Sequence, residues 1–512
     1  MTDRLEAIAE TGVGERLLGA LIAEHRRERL PRLETLWRYF RNPLEPVGVG
    51  GVTGAGGSGD GPRYRSAQED GLPSRITGRR ADGTVGTRRE VVVENDIGWR
   101  LQTMVDFLVG EPVRLTSTAG RADTRETVES LLDAIWEGSG GLGMLQDAVL
   151  LGHVFGYVDF AVRLDESALL GGASRLKARA ASGDFGELAS LIRIEPIEPR
   201  RGVPVVSDGD YRELDAYCLW FERAVNDVEE NDERGSRVSR LFGRRNGRAG
   251  EIAAKRRSVE TLEVFGPGVR RRYENGELVE RERSVLLPGV VPVVHIQNLS
   301  QPFRYEGLGE VEPLMPLQDE LNTRLSDRAN RVTLQSFRMY LAKRLDTIGD
   351  IGVGPGQVWT TDDPDADIKA FGGDAASPSE SEHIEQVREA MDKASAVPPL
   401  AGGVLRGRVG NLSSANALRI TLLSLLSKTA RKRVTYGAGI ERVSRMVLDA
   451  LDAAGIVSTR PEDRGLRAVW PEPQPVEPAD EVRTAKLKAE VGVPRERVLA
   501  ELGYGVEDLG VE

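Results

Sequence analysis

Pro292-Val-Val-His-Ile-Gln-Asn298, Arg304-Tyr-Glu-Gly-Leu-Gly309 and the Leu-rich stretch from Glu310 to Lys343 decide how this chain is read. The first is a short apolar strand with an asparagine at its end. The second is a glycine turn. The third predicts one long helix whose start carries acids and two prolines, Pro313 and Pro316. A second very long helix opens at Ser413-Ser-Ala-Asn-Ala-Leu-Arg419 and is expected over 414–454, with a kink at Gly437-Ala-Gly439. At 1.5 Å per residue it would be about 60 Å long. Helices this long in a chain only 5% aromatic point to packing against neighbouring chains, in a ring where function belongs to the assembly.

Between the two helices the texture changes. Ile348–Gly356 holds four glycines, Gln357–Thr361 reads as a strand, Asp362-Asp-Pro-Asp-Ala-Asp367 as an acidic turn, and Ile368–Phe371 as a strand pairing back. Ser377 then caps a helix that begins at Pro378 and runs to about Ala394. The prolines and glycines of Val397–Asn411 exclude helix there. Upstream, 3–40 reads as helices and 47–87 as a glycine-rich polar surface loop. Val91–Asn95 is a strand or an extended lead-in, with Asn95 or Asp96 capping a helix over Ile97–Val109. Further helices are expected over Thr124–Trp136 and Gly143–Gly152. Strands are expected over His153–Leu164, Leu191–Ile197, Ala216–Arg223, Val259–Phe265, Val269–Tyr273 and Val285–Leu287. A charged interruption at 229–257 carries the only basic patch, Arg234 to Arg257. A proline-rich linker around Trp470 precedes a small helical tail. The fold class is α+β.

Composition narrows the function. With 512 residues, 40% apolar and 29% charged, the chain can bury a large core in roughly two to four domains. No run of eighteen apolar residues occurs, so no membrane span is expected. The first residues show no signal pattern, so export is not expected. Cys218 is the only cysteine, which excludes an internal disulfide and a zinc–cysteine site and suits a reducing cytoplasm. A net charge of −11 disfavours tight phosphate neutralisation, yet suits a surface that DNA slides past without adhering.

The candidate chemical motifs read as structure. Gly54-Ala-Gly-Gly-Ser-Gly59 satisfies GxGxxG but lacks the flanking strand and helix of a dinucleotide site. No Gly-x4-Gly-Lys-Ser/Thr motif exists, so ATP-driven work would belong to a partner. His25, His153, His295 and His383 have no second ligand at metal spacing; His153 and His295 are expected in or beside strands as hydrogen-bonded core residues. The aspartates at 362–367 lack the glycine and glutamate of a calcium loop. No cofactor, metal or catalytic set is expected. Arg406 and Arg408, on the glycine-rich segment, would form a cationic belt if repeated about an axis, while Asn411 and Ser413 cap the following helix.

The order of these elements resembles the portal proteins of tailed bacteriophages, in the branch typified by phages of Gram-positive hosts. The stretches that carry the resemblance are Arg32–Tyr39, Asn95–Val113 (NDIGWRLQTMVDFLVGEPV), Gly152–Asp159 (GHVFGYVD) and Ile194–Ser207 with Tyr211–Phe221. Pro292–Asn298 with Gly307–Asn330, Ser413–Arg419 and Trp470–Pro478 complete the order. The 47–87 loop and the 229–257 insertion have no counterpart. The resemblance implies a homo-oligomeric ring, usually of twelve subunits, at one capsid vertex of a virion assembled in the host cytoplasm. Mapped here, 1–306 is the wing, 307–343 the first stem helix, 344–376 the clip and 377–396 the second stem helix. The tunnel loop is 397–413, a long kinked wing helix 414–456, and the crown and tail 457–512.

It further implies that Leu400, Gly402, Gly403, Arg406, Arg408 and Asn411 border the DNA channel. Ile351, Val353, Gln357, Trp359, Asp362 and Asp363 would dock terminase and then head-completion or tail adaptor proteins. Capsid and scaffolding proteins, and double-stranded DNA in transit, are the other implied partners. Glu380, Glu382, Glu385, Glu389 and Asp392 give the second stem helix an acidic surface that lines the channel or pairs with a neighbour; both readings stay open. A ring-forming vertex adaptor without a packaging role is the alternative, and a nucleotide-binding enzyme using Gly54–Gly59 a remoter one.

Overall fold

The computed structural model describes residues 14–46, 64–78, 89–226, 256–336, 339–343, 367–371, 378–402, 419–472, 478–493 and 498–499. Helices α1 (Glu15–Glu24) and α2 (Leu30–Arg41), joined through a π-helical turn His25–Arg29, lead to a small pair of strands, β1 (Leu44–Pro46) and β2 (Tyr64–Ser66). Then follow α3 (Asp96–Val109), β3 (Arg114–Ser117), α4 (Ala122–Gly138), α5 (Gly141–Phe155) and β4 (Tyr157–Leu164). Three short helices, α6 (Glu166–Gly171), α7 (Ala173–Ala181) and α8 (Gly186–Ser190), precede β5 (Ile192–Ile197). Strands β6 (Gly202–Val206), β7 (Leu214–Asn226), β8 (Arg256–Gly266), β9 (Val269–Glu274) and β10 (Glu277–Arg283) form one antiparallel sheet, and β11 is Val293–Gln297. The rest is α9 (Met315–Ser336), β12 (Met339–Lys343), β13 (Asp367–Phe371), α10 (Pro378–Ser395), α11 (Leu423–Ala453), β14 (Leu466–Val469) and α12 (Pro478–Glu490). The fold is α+β, as its composition of elements predicts.

β4 organises the core. It lies between β11 and β5, with Phe160 opposite Val294 and Val162 opposite Ile194. Strand alternation sends Val158, Phe160 and Val162 to one face, where they join the large cluster built by α4, α5 and α11. Ala161, on the opposite face, meets Tyr217, Leu219 and Phe265 of the five-stranded sheet. β4 is thus buried on both sides, which explains a run of apolar residues with little alternation. Buried Asp159 accepts hydrogen bonds from the Tyr217 hydroxyl at 2.7 Å and the Tyr305 hydroxyl at 2.8 Å. His295 Nδ1 lies 2.6 Å from the same carboxylate while its Nε2 donates to the Tyr305 carbonyl at 2.7 Å. This brace fixes the glycine turn against the sheet.

The turn packs backbone to backbone. Gly156 ends α5 with φ of 91°, and a Cβ there would strike the Gly307 carbonyl; one on Gly307 would strike the carbonyls of Gly156 and Leu299. The two glycine motifs of the sequence, at 152–159 and 304–309, are therefore two halves of one contact. Among the described residues no helix is long and apolar enough to cross a membrane.

Several expectations are corrected. The helix expected to reach Lys343 stops at Ser336, and Met339–Lys343 is a strand paired with Asp367–Phe371. Met, Leu, Ala and Lys are good helix formers, but propensity is a weak prior and the strand pairing overrides it. Ile368–Phe371 thus pairs with residues before the acidic turn; the expected partner Gln357–Thr361 lies outside the described residues. His153 lies in α5, one turn before the strand, because the helix continues to Phe155. Val285–Leu287 is a bend, not a strand: the Val285 N–H is taken by the Glu166 carboxylate at 2.7 Å. β6 and β10 were not anticipated, and within the expected surface loop 47–87 the residues 64–78 instead form β2, a 3-10 turn and a short helix Ser74–Thr77 that bury Leu72 and Ile76. α11 is one continuous helix through Gly437 and Gly439, glycines that admit Trp470 and Ile296 at close range instead of marking a break.

Candidate functional site

Of the expected site residues, the five acids of α10, Leu400 and Gly402 lie among the described residues. α10 packs on α9, tied by the ion pair Arg331–Glu380 and by His383 Nε2 against Glu320 at 3.0 Å. Of the five acids proposed for the stem surface, Glu380 is thereby committed within the chain. Asp392 is also, at 2.6 Å from Arg100. Glu382, Glu385 and Glu389 are exposed and have no ion-pair partner among the described residues. They share one face of α10, since three- and four-residue steps return to the same side of a helix.

Arg100 of α3 clamps the C-terminal end of α10. Fully buried, its guanidinium reaches Asp96 at 3.1 Å, Asp392 at 2.6 Å, the Ser395 hydroxyl at 3.0 Å and the Val397 carbonyl at 3.0 Å. Its face lies over the Trp99 ring at 4.8 Å. The planar fork holds the last turn of α10 and the first residues beyond it in one geometry. Ala396 takes a left-handed conformation (φ 61°), which reverses the chain there. Val397 is buried with Met104 and Leu425, and Pro399–Gly402, carrying Leu400 and Gly402, forms a 3-10 turn. Gly403, Arg406, Arg408 and Asn411 lie outside the described residues. So do Ile351, Val353, Gln357, Trp359, Asp362 and Asp363, the Gly54–Gly59 motif and most of the arginine-rich insertion.

Beside this clamp lies a buried charge cluster that sequence reasoning missed. Glu310, just ahead of α9, lies 2.5 Å from Lys428 Nζ and 2.7 Å from Lys432 Nζ, both on α11. Lys428 also donates to the Ser395 carbonyl at 2.8 Å. His153 Nδ1 donates to the Val149 carbonyl at 2.6 Å, leaving Nε2 to accept from Lys432 at 2.8 Å. Through these two lysines the carboxylate ahead of α9 is linked to α11, to the end of α10 and to α5. Burial alone would raise its pKa, but the two ammonium groups override this and hold it at about 2. Burial pushes Lys432 down to about 8 against the pull of Glu310, and drives His153 well below its ordinary value, with Lys432 adding to the effect. The i,i+4 lysines in an otherwise buried face of α11 were the visible signal.

A second missed feature positions α3. Gln318, Asn322, Ser326 and Asn330 recur every four residues on α9 and hydrogen-bond the extended segment before α3. Asn330 takes the N–H and C=O of Glu90 (2.9 Å each), Ser326 the N–H of Val92 (3.0 Å), and Asn322 the N–H of Glu94 (2.9 Å). Gln318 accepts from the N–H groups of Asp96 and Ile97 at 3.1 and 3.2 Å. Residues 90–95 thus satisfy their backbone on side chains and make no sheet. Asn95 then caps α3, accepting from the Gly98 N–H at 3.1 Å. Arg388 of α10 grips Glu94 bidentately at 2.6 and 2.8 Å, closing α9, α10 and this segment into one unit. No group of His, Cys, Asp and Glu suited to a metal occurs among the described residues.

α9 and α10 pack on each other with the β12–β13 pair between them in sequence, and the exit from α10 is braced by Arg100. The model of the family described as "Phage portal protein, SPP1 Gp6-like" matches residues 21–508. The chain belongs to that family. Among curated proteins none matches by sequence. Two solved structures resemble this portal-family chain at low identity. One is "Virion of native gene transfer agent (GTA) particle", with 14% identity and a TM-score of 0.41, covering 79% of this chain and 89% of that chain. The other is "Neck of native GTA particle computed with C12 symmetry", with 13% identity, the same TM-score and the same coverage. Family membership rests on the sequence match.

Proposed function

We propose that this portal-family chain assembles into a homo-oligomeric ring at one vertex of a phage capsid and serves as the passage for DNA entering and leaving the particle. The observation that carries the reading is the family match across 21–508, nearly the whole chain. The chain acts as a structural conduit and not as an enzyme. In this reading α9 and α10 are the stem, and β12 with β13 begins the clip where a packaging terminase docks, followed by head-completion proteins. The segment after Gly402 reaches the bore, where Arg406 and Arg408 touch passing phosphates briefly. A net charge of −11 per chain disfavours adhesion of DNA to the walls. The Arg100 clamp and the Glu310 cluster support such a role by giving the tunnel-side segment a rigid base.

Imaging of the purified full chain by negative-stain electron microscopy tests the reading. Rings with a central hole are expected; single chains, dimers or closed discs overturn it. Arg406→Glu with Arg408→Glu should leave rings intact and lower the DNA packaged per particle, and unchanged packaging removes the loop from the mechanism.

A further inference from the structure

The outward face of α11 and its start is too apolar to be left to water. Ile420, Leu423 and Val434 are 73%, 59% and 71% exposed. With Ser427 and Ala430 they fall at steps of three, four, three and four residues, the spacing of a seam that another helix covers. The seam spans about 21 Å along the helix at 1.5 Å per residue. Arg431 lies beside it, and Arg442 and Arg445 follow two to three turns further along α11, all exposed and without an ion-pair partner among the described residues. An apolar strip rimmed by charge marks a surface built for a partner.

The chain carries a complement that it does not use on itself. α10 exposes Glu382, Glu385 and Glu389 along one edge and Ala394 along the next, beside half-buried Ala390. None of the three acids meets any of the three arginines within one chain. Alanines opposite Ile, Leu and Val let two helices approach closely, while glutamates opposite arginines fix which helix fits. Heights agree as well. Lys428 of α11 donates to the Ser395 carbonyl at the end of α10, so these parts of the two helices share one level. Rotation about a ring axis preserves height, so the end of α10 at Ser395 in one copy arrives at the level of Lys428 of α11 in the next.

We infer that the exposed face of α11 is the subunit interface, and that it takes the acidic and alanine-edged face of α10 from a second copy of this chain. This rests on the ring proposed above and adds which surfaces meet. The contact is head to tail, as a closed ring requires. It also decides the open question about the stem acids: Glu382, Glu385 and Glu389 pair with a neighbour.

Charge exchange tests this, because in a homo-oligomer one variant carries both sides of every interface. Particle mass would be measured by native mass spectrometry for the wild type and three variants. The first is Glu382→Lys with Glu385→Lys and Glu389→Lys; the second is Arg431→Glu with Arg442→Glu and Arg445→Glu; the third combines all six. Circular dichroism confirms that each variant is folded. Wild-type rings, loss of rings in either triple variant and their return in the sixfold variant are expected. Triple variants that assemble like the wild type overturn the inference while leaving the ring in place, as does a sixfold variant that stays dispersed. Wild-type chains that remain single overturn the ring and this interface together.

Discussion

Replacing Glu310 by glutamine should destabilise the chain by roughly 3–5 kcal/mol, the range found when one partner of a buried ion pair is removed. The structure gives an independent route to the same size. The carboxylate is 2% exposed and its pKa is held at about 2, against 4.5 for the free side chain. At 1.36 kcal/mol per unit, this amounts to ~3 kcal/mol of stability. Because the pKa is depressed, that contribution is present above pH 4.5 and is lost as pH falls toward 2. Glutamine keeps the shape but leaves Lys428 and Lys432 buried against a neutral amide. Lys432 behaves with the opposite sense: its folded pKa of about 8 lies below its free value of 10.5, so it weakens the fold below pH 8 and ceases to do so as pH rises to 10.5. Without Glu310 its pKa falls further, and the variant regains more than the wild type on going alkaline. Urea unfolding followed by tryptophan fluorescence, at neutral pH and near pH 9.5, measures both effects. A large deficit at neutral pH that narrows at high pH is expected. A deficit below about 1 kcal/mol, the size of an ordinary surface change, or a gap that widens with pH, refutes the reasoning.

Gly152→Ala should cost about 1–3 kcal/mol, since its Cβ would enter the hydroxyl of buried Tyr436. Adding Tyr436→Phe should recover part of that loss in a double-mutant cycle of thermal unfolding; strict additivity would refute the contact. Asn322→Ala removes bonds to the Glu94 N–H, to Gln68 and to Gln318, at about 1–2 kcal/mol, and should speed amide exchange at 90–95 before α3. Unchanged exchange there would show that the ladder is not what holds the segment. Cys218 is buried and its thiol is pushed up to about 12 by burial, so it should resist thiol reagents at neutral pH until the chain unfolds. Fast labelling of the native chain would contradict its place in β7.

The elements that sequence reveals best are those decided locally. Asn95 as a cap, Pro378 at a helix start and the apolar run of β4 each declare themselves through their own chemistry. Family resemblance was legible for a related reason, since its glycine motifs at 152–159 and 304–309 are constrained by a backbone contact that admits no side chain. What stayed hidden depends on partners far along the chain. Met339–Lys343 has helix-forming residues and becomes a strand only because Asp367–Phe371 pairs with it. Residues 90–95 look like a strand, but their hydrogen bonds go to side chains more than two hundred positions away. Lys428 and Lys432, one turn apart amid apolar positions, are the local signal of a buried cluster, but their partner Glu310 lies more than a hundred residues upstream and carries no sign of it. Of the candidate site, Leu400, Gly402 and the five acids of α10 are placed. Two of those acids prove to be internal ties, to Arg331 and Arg100.

An electron cryomicroscopy map of the assembled particle, with the segment 397–413 located in it, bears most directly on the central claim. The account requires identical chains about a common axis, with that segment bordering a bore wide enough for a DNA duplex. A map with the segment on the outer surface, away from any bore, would contradict it.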